Sequence, residues 1–407
     1  MILSISWRNI WRNKLRSLVV ILAVTLGLFG ILFMIAMTNG MVVQKIDATI
    51  NNELSHIQIH DPAFIQDPSL HFKIENIGQI EKDLATVSGV KSVCSRIKVM
   101  AMASTAATGV GIMINAIDPV HEKQVTRIDQ FIVEGDYFKK ESKSAPIVIS
   151  QKLSTKLKAK LGSKIVLTVQ HTSGEMVYGL FRVTGIYKTS NNIFDEPNIF
   201  IRKSDMVALT GFESTSASEI AILLHDNELT DTSMELIKQM HPGLSILSWK
   251  ELEPLLAGMS AMVDQMAYFL LIIILIAMAF GIINTMMMSV LERTKELGML
   301  MAVGMNRRKV FRMIMLETVF LALVGTFFGI LVSAVTIHYT GITGINFAKW
   351  AEGYEAWGYS ALVYPKLYTS FYFGMTILVI ITAIISSVYP ARKALKLNPA
   401  VAVREEA

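Results

Sequence analysis

Four long runs almost free of charge constrain this chain more than any other feature. Leu18–Met37 is twenty residues without a charge, and apolar runs of similar length cover 266–291, 313–337 and 371–389. About 20 apolar residues cross a bilayer as a helix, and hydrocarbon admits helices because they satisfy their own backbone. Each run is therefore read as a transmembrane helix. The chain is 52% hydrophobic and 17% charged, with mean hydropathy +0.46. That is too apolar for an ordinary soluble protein and too charged for one wholly embedded. The expected fold is an α-helical membrane protein with four transmembrane helices and a large α+β extracytoplasmic domain, residues 38–265, inserted between the first and second.

A net charge of +5 invites a nucleic-acid partner, but the distribution argues against one. Residues 1–17, 292–312 and 390–407 hold 14 Lys/Arg against 4 Asp/Glu, while 38–265 holds 22 against 26. The basic surplus abuts membrane segments, as the positive-inside rule expects. Those three segments, with both termini, are placed in the cytoplasm; 38–265 and 338–370 are placed outside. The first run exceeds a signal-peptide core and ends in the poor cleavage site Ala36-Met37-Thr38-Asn39-Gly40, so it is expected to stay as a membrane helix. Cys94 is the single cysteine, which leaves no internal disulfide and no thiolate metal site.

Between the second and third runs, Glu292–Val310 reads ERTKELGMLMAVGMNRRKV. Its middle, Leu297–Val303, is uncharged and apolar apart from Gly298. Those residues make a helix of about 10 Å, far too short to span. A helix apolar all round is normally buried, so the expected resting place is a groove in another protein, with an interfacial loop among the headgroups as the competing reading. Leu297, Leu300 and Met301 follow the i, i+3, i+4 pattern of groove anchors. Glu292 and Glu296 lie one turn apart at the rim. Gly304 is expected to end the helix in a left-handed cap, and Asn306 to cap the next.

Within the spans, Asn284 and Thr285 are candidates for hydrogen bonds across a helix interface, and Gly325 and Gly329 for close helix approach. Glu317 is an acid inside the third span, with Arg312 or Arg308 as the expected partner. Met286, Met287 and Met288 read as packing. Leu255–Tyr268 reads as an amphipathic helix continuing into the second span, a stiff rod. At the N-terminus Trp7, Ile10, Trp11 and Leu15 share a helical face suited to the headgroups. Trp350, Tyr354, Trp357, Tyr359, Tyr364 and Tyr368 suit the outer headgroup level.

The run Arg293-Thr294-Lys295-Glu296-Leu297-Gly298, then Ala302-Val303-Gly304, then Glu317, resembles the coupling region of the bacterial ABC permeases of the FtsX/MacB-like family. Trp7 to Ser17 is similar to the start of these permeases, and Pro390 to Lys396 with Asn398-Pro399-Ala400 to their tail. Leu161-Gly162-Ser163-Lys164-Ile165 and Val183-Thr184-Gly185-Ile186 resemble their extracytoplasmic core. The resemblance implies a mechanotransmission permease subunit of the bacterial inner membrane, closest in build to the lipoprotein-releasing LolC/LolE group. Glu292, Arg293, Glu296, Leu297, Gly298, Leu300, Met301, Ala302 and Gly304 would then dock a separate ABC ATPase. A second permease subunit, identical or not, and membrane lipid are implied partners. A lipoprotein or other lipid-like substrate, or a periplasmic protein, is implied outside. Alternatives are a regulator of cell-wall hydrolases, which an outer domain of this size disfavours, or an efflux permease for peptides or macrolides.

The outer region reads as strands at His56–His60, Val99–Ala103, Gly111–Ile117, Pro146–Ser150, Lys164–Gln170, Phe181–Tyr187, Asn198–Arg202 and Glu219–Leu224. Helices are read at Ile77–Val87, Gln151–Leu161 and Ser233–Met240, with two subdomains divided near Asp118-Pro119. No chemistry is expected here. His56, His60 and Asp61 are read as a solvated strand edge rather than a metal site, and Asp195 and Glu196 lack an acid–base partner. The chain has no Walker A motif, so no enzyme activity and no cofactor are expected on it; ATP and Mg belong to the partner ATPase.

Overall fold

The computed structural model describes residues 2–12, 14–138 and 144–395. Residues 396–407 of the expected tail, 390–407, thus lie outside the described residues, as does Asn13 of the N-terminal run. The chain forms two units. One takes in the residues up to Met41, Ala261–Ile345 and those from Val363 on; the other comprises Val42–Ser260 and Asn346–Leu362.

Among the described residues, four helices are long and apolar enough to cross a membrane. A short helix, α1 (Ile2–Arg12), precedes the first of them, α2 (Lys14–Thr49). The others are α10 (Pro254–Glu292), α12 (Arg307–Thr343) and α14 (Thr369–Leu395), with α3–α9 in the inserted region. Every one exceeds the run that announced it, because apolar content sets only the stretch in hydrocarbon. At 39 residues α10 is about 58 Å long, roughly twice a hydrocarbon core. It runs unbroken through the expected amphipathic segment. The fourth span was expected to end at Tyr389; α14 instead carries Pro390 inside it, with Ala391 and Ala394 fully buried.

In the membrane unit, α12 lies against α2 at its glycines. A Cβ on Gly325 would sit 2.7 Å from the Val24 side chain, and one on Gly329 3.0 Å from Leu28. The same approach lets Thr25 Oγ1 donate to the Gly325 carbonyl at 3.0 Å. The expected interhelical role of the second span's polar pair is not what the chain shows. Thr285 Oγ1 donates to its own helix at Gly281 O, 2.8 Å, and Asn284 is exposed. Such i−4 back-bonding satisfies a hydroxyl without a neighbour.

The second unit is built on one sheet. Its strands are β1 (Ile57–His60), β2 (Val90–Ser104), β3 (Gly109–Ile117), β4 (Ile132–Gly135) and β5 (Ala145–Ser150). There follow β6 (Lys164–Gln170), β7 (Met176–Tyr187), β8 (Asn198–Arg202), β9 (Glu219–Leu224) and β10 (Ser245–Ser248). The order is β10-β1-β9-β2-β3-β8-β5-β7-β4, with β6 pairing β2 and β7. Around it pack α3 (Ile77–Leu84), α4 (Pro119–Val125), α5 (Gln151–Leu157), α6 (Asn192–Asp195), α7 (Lys203–Thr210), α8 (Thr230–Met240) and α9 (Trp249–Leu252). Its two larger apolar clusters among the described residues mark two lobes, one around Ile59, Leu84 and Ile222, the other around Ile114, Ile149 and Ile199.

The division is not at Asp118-Pro119. Those residues start α4, with Asp118 Oδ1 accepting from Val120 N at 2.9 Å and Pro119 in the first turn. The lobes instead share the long strand β2, whose first half pairs with β9 and whose second half pairs with β3 and β6. At the changeover sits a buried ion network. Arg96 donates to Glu122 at 2.7 and 3.0 Å and to Glu219 at 2.6 Å, and Lys98 reaches Glu219 at 3.0 Å. His60 is part of this interior and not of an edge, because β1 is paired on both sides. It is buried, its ring nitrogens meeting Ser218 O at 3.1 Å and Gln58 Oε1 at 3.0 Å, while His56 Nδ1 accepts from Leu224 N. Asp195 is likewise spent internally, accepting from Thr189 N and Oγ1. Among the described residues no group of three His, Cys, Asp or Glu is placed to hold a metal.

The segment after α12 carries α13 (Ala351–Ala356). It is fastened to its own unit by Lys188 to Glu355 at 3.2 Å, and by Lys45, which donates to the Trp357 carbonyl and stands over the Tyr359 ring. Trp350 and Trp357 remain well exposed.

Candidate coupling site

The stretch between α10 and α12 folds because its own sequence punctuates it. Arg293 leaves the helical region (φ −101°, ψ 19°) and caps α11 (Thr294–Ala302). The helix ends in a Schellman motif: Met305 N donates to Leu300 O at 2.9 Å and Gly304 N to Met301 O at 3.1 Å. That geometry needs a left-handed residue, and Gly304 supplies it at φ +101°. Asn306 then caps α12 by accepting from Arg308 N at 3.0 Å.

Helix α11 has two faces, and the one expected to dock a partner is turned inward. Leu297 is 3% exposed and belongs to the membrane unit's core with Met286, Val290, Val310 and Met313. Gly298 is buried beside it, and Leu300, Met301 and Met305 pack partly against the same core. The three expected anchors do share a face, but their own chain already covers it. The open face carries Lys295, Met299, Ala302, Val303 and Gly304, with Met299 61% and Val303 84% exposed; Glu292 is exposed at the preceding helix end.

Charge holds this helix in place. Glu317, deep on α12, pairs with neither Arg308 nor Arg312 as expected but with Arg293, whose Nη1 donates to its two oxygens at 3.1 and 3.3 Å. Arg293 Nε also donates to Glu296 Oε2 at 3.1 Å. Arg12, the last residue of α1, closes on both oxygens of Glu296, one bond at 3.0 Å. Burial pushes the Glu296 carboxyl up, but hydrogen bonds and charge from Arg12 and Arg293 outweigh it and hold it below its ordinary range. Helix α1 belongs to the same assembly. Ser6 Oγ donates to Met313 O, the Trp7 ring meets Phe320 edge-on, and Ile10 is buried. The single face read for a headgroup helix is thus split: Ile10 faces the bundle, Trp7 and Trp11 are half exposed, and Leu15 starts the next helix. No periodicity in the sequence could have joined Arg12 to Glu296, 284 positions apart.

These features define a class: a membrane protein of four spans, with a large α/β domain after the first and a short helix clasped between the second and third. Residues 17–240 match the family described as MacB-like periplasmic core domain, and residues 268–399 that described as FtsX-like permease C-terminal. The chain belongs to this FtsX/MacB family of ABC transporter permeases, and the inserted α/β domain is its extracytoplasmic domain. It matches permease regions of the relatives.

Among similar proteins is the lipoprotein-releasing system transmembrane protein LolC of Buchnera aphidicola, 22% identical over 56% of this chain. The pyoverdine export ATP-binding/permease protein PvdT of Pseudomonas putida is 23% identical over 99% of it. The macrolide export ATP-binding/permease protein MacB of Rhodopirellula baltica is 30% identical over 44%. The chain spans 57%, 59% and 21% of the lengths of these three relatives.

Proposed function

We propose that this permease couples a separate ABC ATPase, which binds ATP and Mg, to its extracytoplasmic domain, and that it serves a lipoprotein or another lipid-like substrate. The observation that carries the reading is the two-faced helix α11: Leu297 seats it in the bundle while Met299 and Val303 stand bare beside Lys295. An exposed apolar pair with a charged rim is the make-up of a partner-docking surface. On this reading α11 lies in the cytoplasm, as do both termini, and the permease acts as a pair of subunits. ATP binding draws the two α11 helices together, and the long α10 carries the motion outward. The lipid-like substrate follows from the likeness to LolC and from the bare Trp350 and Trp357.

The test is co-purification of the ATPase with membrane-inserted variants. Met299→Asp and Val303→Asp should each lose the ATPase, since a charge replaces an apolar side chain that the partner would cover. Lys295→Ala should weaken binding mildly and change its salt dependence. Wild-type retention by Met299→Asp and Val303→Asp together would exclude α11 as the docking element.

A further inference from the structure

The ion pairs around α11 have an asymmetry that docking alone does not explain. Arg293 is the non-helical residue between α10 and α11, so a swing of α11 against α10 pivots at its backbone. Its side chain nevertheless spans that pivot. One edge of the guanidinium meets Glu296 in the first turn of α11, and the other meets Glu317 on α12. Arg12 holds Glu296 from the α1 side. Beside the pairs lies a polar cavity of about 270 Å³ lined by Asn9, Ser17, Ser289 and Glu292, among others, which leaves the clasp room to rock.

We propose that Arg293 is a positioning residue: its guanidinium keys the coupling helix to α12, and through Glu296 and Arg12 to α1, so that the three move as one block. Glu317 anchors the key firmly: its side chain is 7% exposed, and taking one partner from a carboxylate so placed is costly. A planar fork can serve two carboxylates lying in different directions; a lysine's compact ammonium on its flexible stem cannot. A push on Met299 and Val303 is then delivered to α1 and α12 instead of being lost at the break after Glu292. That last step rests on the docking reading; the keying itself does not.

The test therefore uses the full chain in lipid nanodiscs, without ATPase. Spin labels go on Met299→Cys and Phe327→Cys, both exposed; the native Cys94 is buried. The parent should give one narrow distance distribution. Arg293→Ala and Arg293→Lys should each lose it to a broad one. Arg293→Lys keeps the positive charge and the apolar stem, so broadening in it reports loss of the fork and not of general packing. Should Arg293→Ala fail to insert, the isosteric Glu317→Gln must broaden the distribution in its place. An unchanged narrow distribution in Arg293→Ala, Arg293→Lys or Glu317→Gln overturns the proposal. If the keying holds but Met299→Asp still retains the ATPase, the docking reading fails alone; the converse result removes the key and leaves the docking.

Discussion

Leu297 and Met299 stand two residues apart on a nine-residue helix, and burial divides their roles. Truncating Leu297 opens a cavity in the membrane unit, so Leu297→Ala should cost about 2–5 kcal/mol of stability. Met299→Ala, at the open face, should stay within about 0.5 kcal/mol. Unfolding of the detergent-solubilised chain by denaturant compares the two. The i, i+3, i+4 pattern was legible in the sequence, and the three residues do share a face. What covers that face was not legible, because periodicity reports burial without naming the surface that buries. The ion pairs were hidden for a related reason. Arg293, Arg307, Arg308 and Arg312 all precede Glu317 in the sequence, and only the turn at Arg293 brings that one, the most distant of them, to its carboxylate. In the outer domain a second buried acid makes a pH prediction. Burial raises the Glu219 carboxyl, but Lys98, Arg96 and His60 pull it down from 4.5 to about 2. Its folded value lies below its unfolded one, so its contribution is complete above pH 4.5 and is lost as pH falls from there toward 2. Glu219→Gln should flatten that acid limb and, by stripping a partner from buried Arg96 and half-buried Lys98, cost roughly 3–5 kcal/mol at pH 7. Pulse proteolysis of the two proteins across that pH range measures both effects.

At the scale of elements, the sharpest contact is α2 against α12 at Gly325 and Gly329. Gly325→Val places new atoms where Val24 and the Ile21 carbonyl already stand, which should destabilise the bundle by about 1–3 kcal/mol or more. Gly281→Ala is the control, since a Cβ added there would meet nothing within 4 Å. Thermal unfolding in one detergent should separate them clearly. This glycine pair was legible because four-residue spacing and small size are themselves the packing signal. Strands were legible where short β-branched and apolar runs are bounded by polar residues: β6, β8 and β9 begin and end where the run does. The pattern missed the first half of β2, Val90–Arg96, which carries Lys91, Ser92, Ser95 and Arg96. Those residues are held by pairing with β9 and by the buried acids around Arg96, and neither partner is near in sequence. The same omission misplaced the lobe boundary, since the strand that carries it was half unseen.

For the whole molecule, charge asymmetry gives a topology that labelling can test. An exposed cysteine introduced at Met176 should react with a membrane-impermeant reagent in intact cells, and one at Arg307 should react only after the membrane is opened. Reaction at Arg307 in intact cells, whether or not Met176 also reacts, would contradict the assignment of sides. The four spans and the inserted domain were plain in the sequence because hydrocarbon and water impose opposite compositions. The proposed transmission of motion between them leaves no compositional mark, and there a direct measurement is needed. The permease would be reconstituted in nanodiscs with its ATPase, with a spin label at Met176→Cys in each permease copy. Distances between the copies would be read without nucleotide and with ATP under conditions that block hydrolysis. Expected is a shift of the outer-domain distance on ATP binding that vanishes in Met299→Asp. An ATPase that stays attached and binds ATP while the outer-domain distance does not move would contradict the transmission of its motion through this chain.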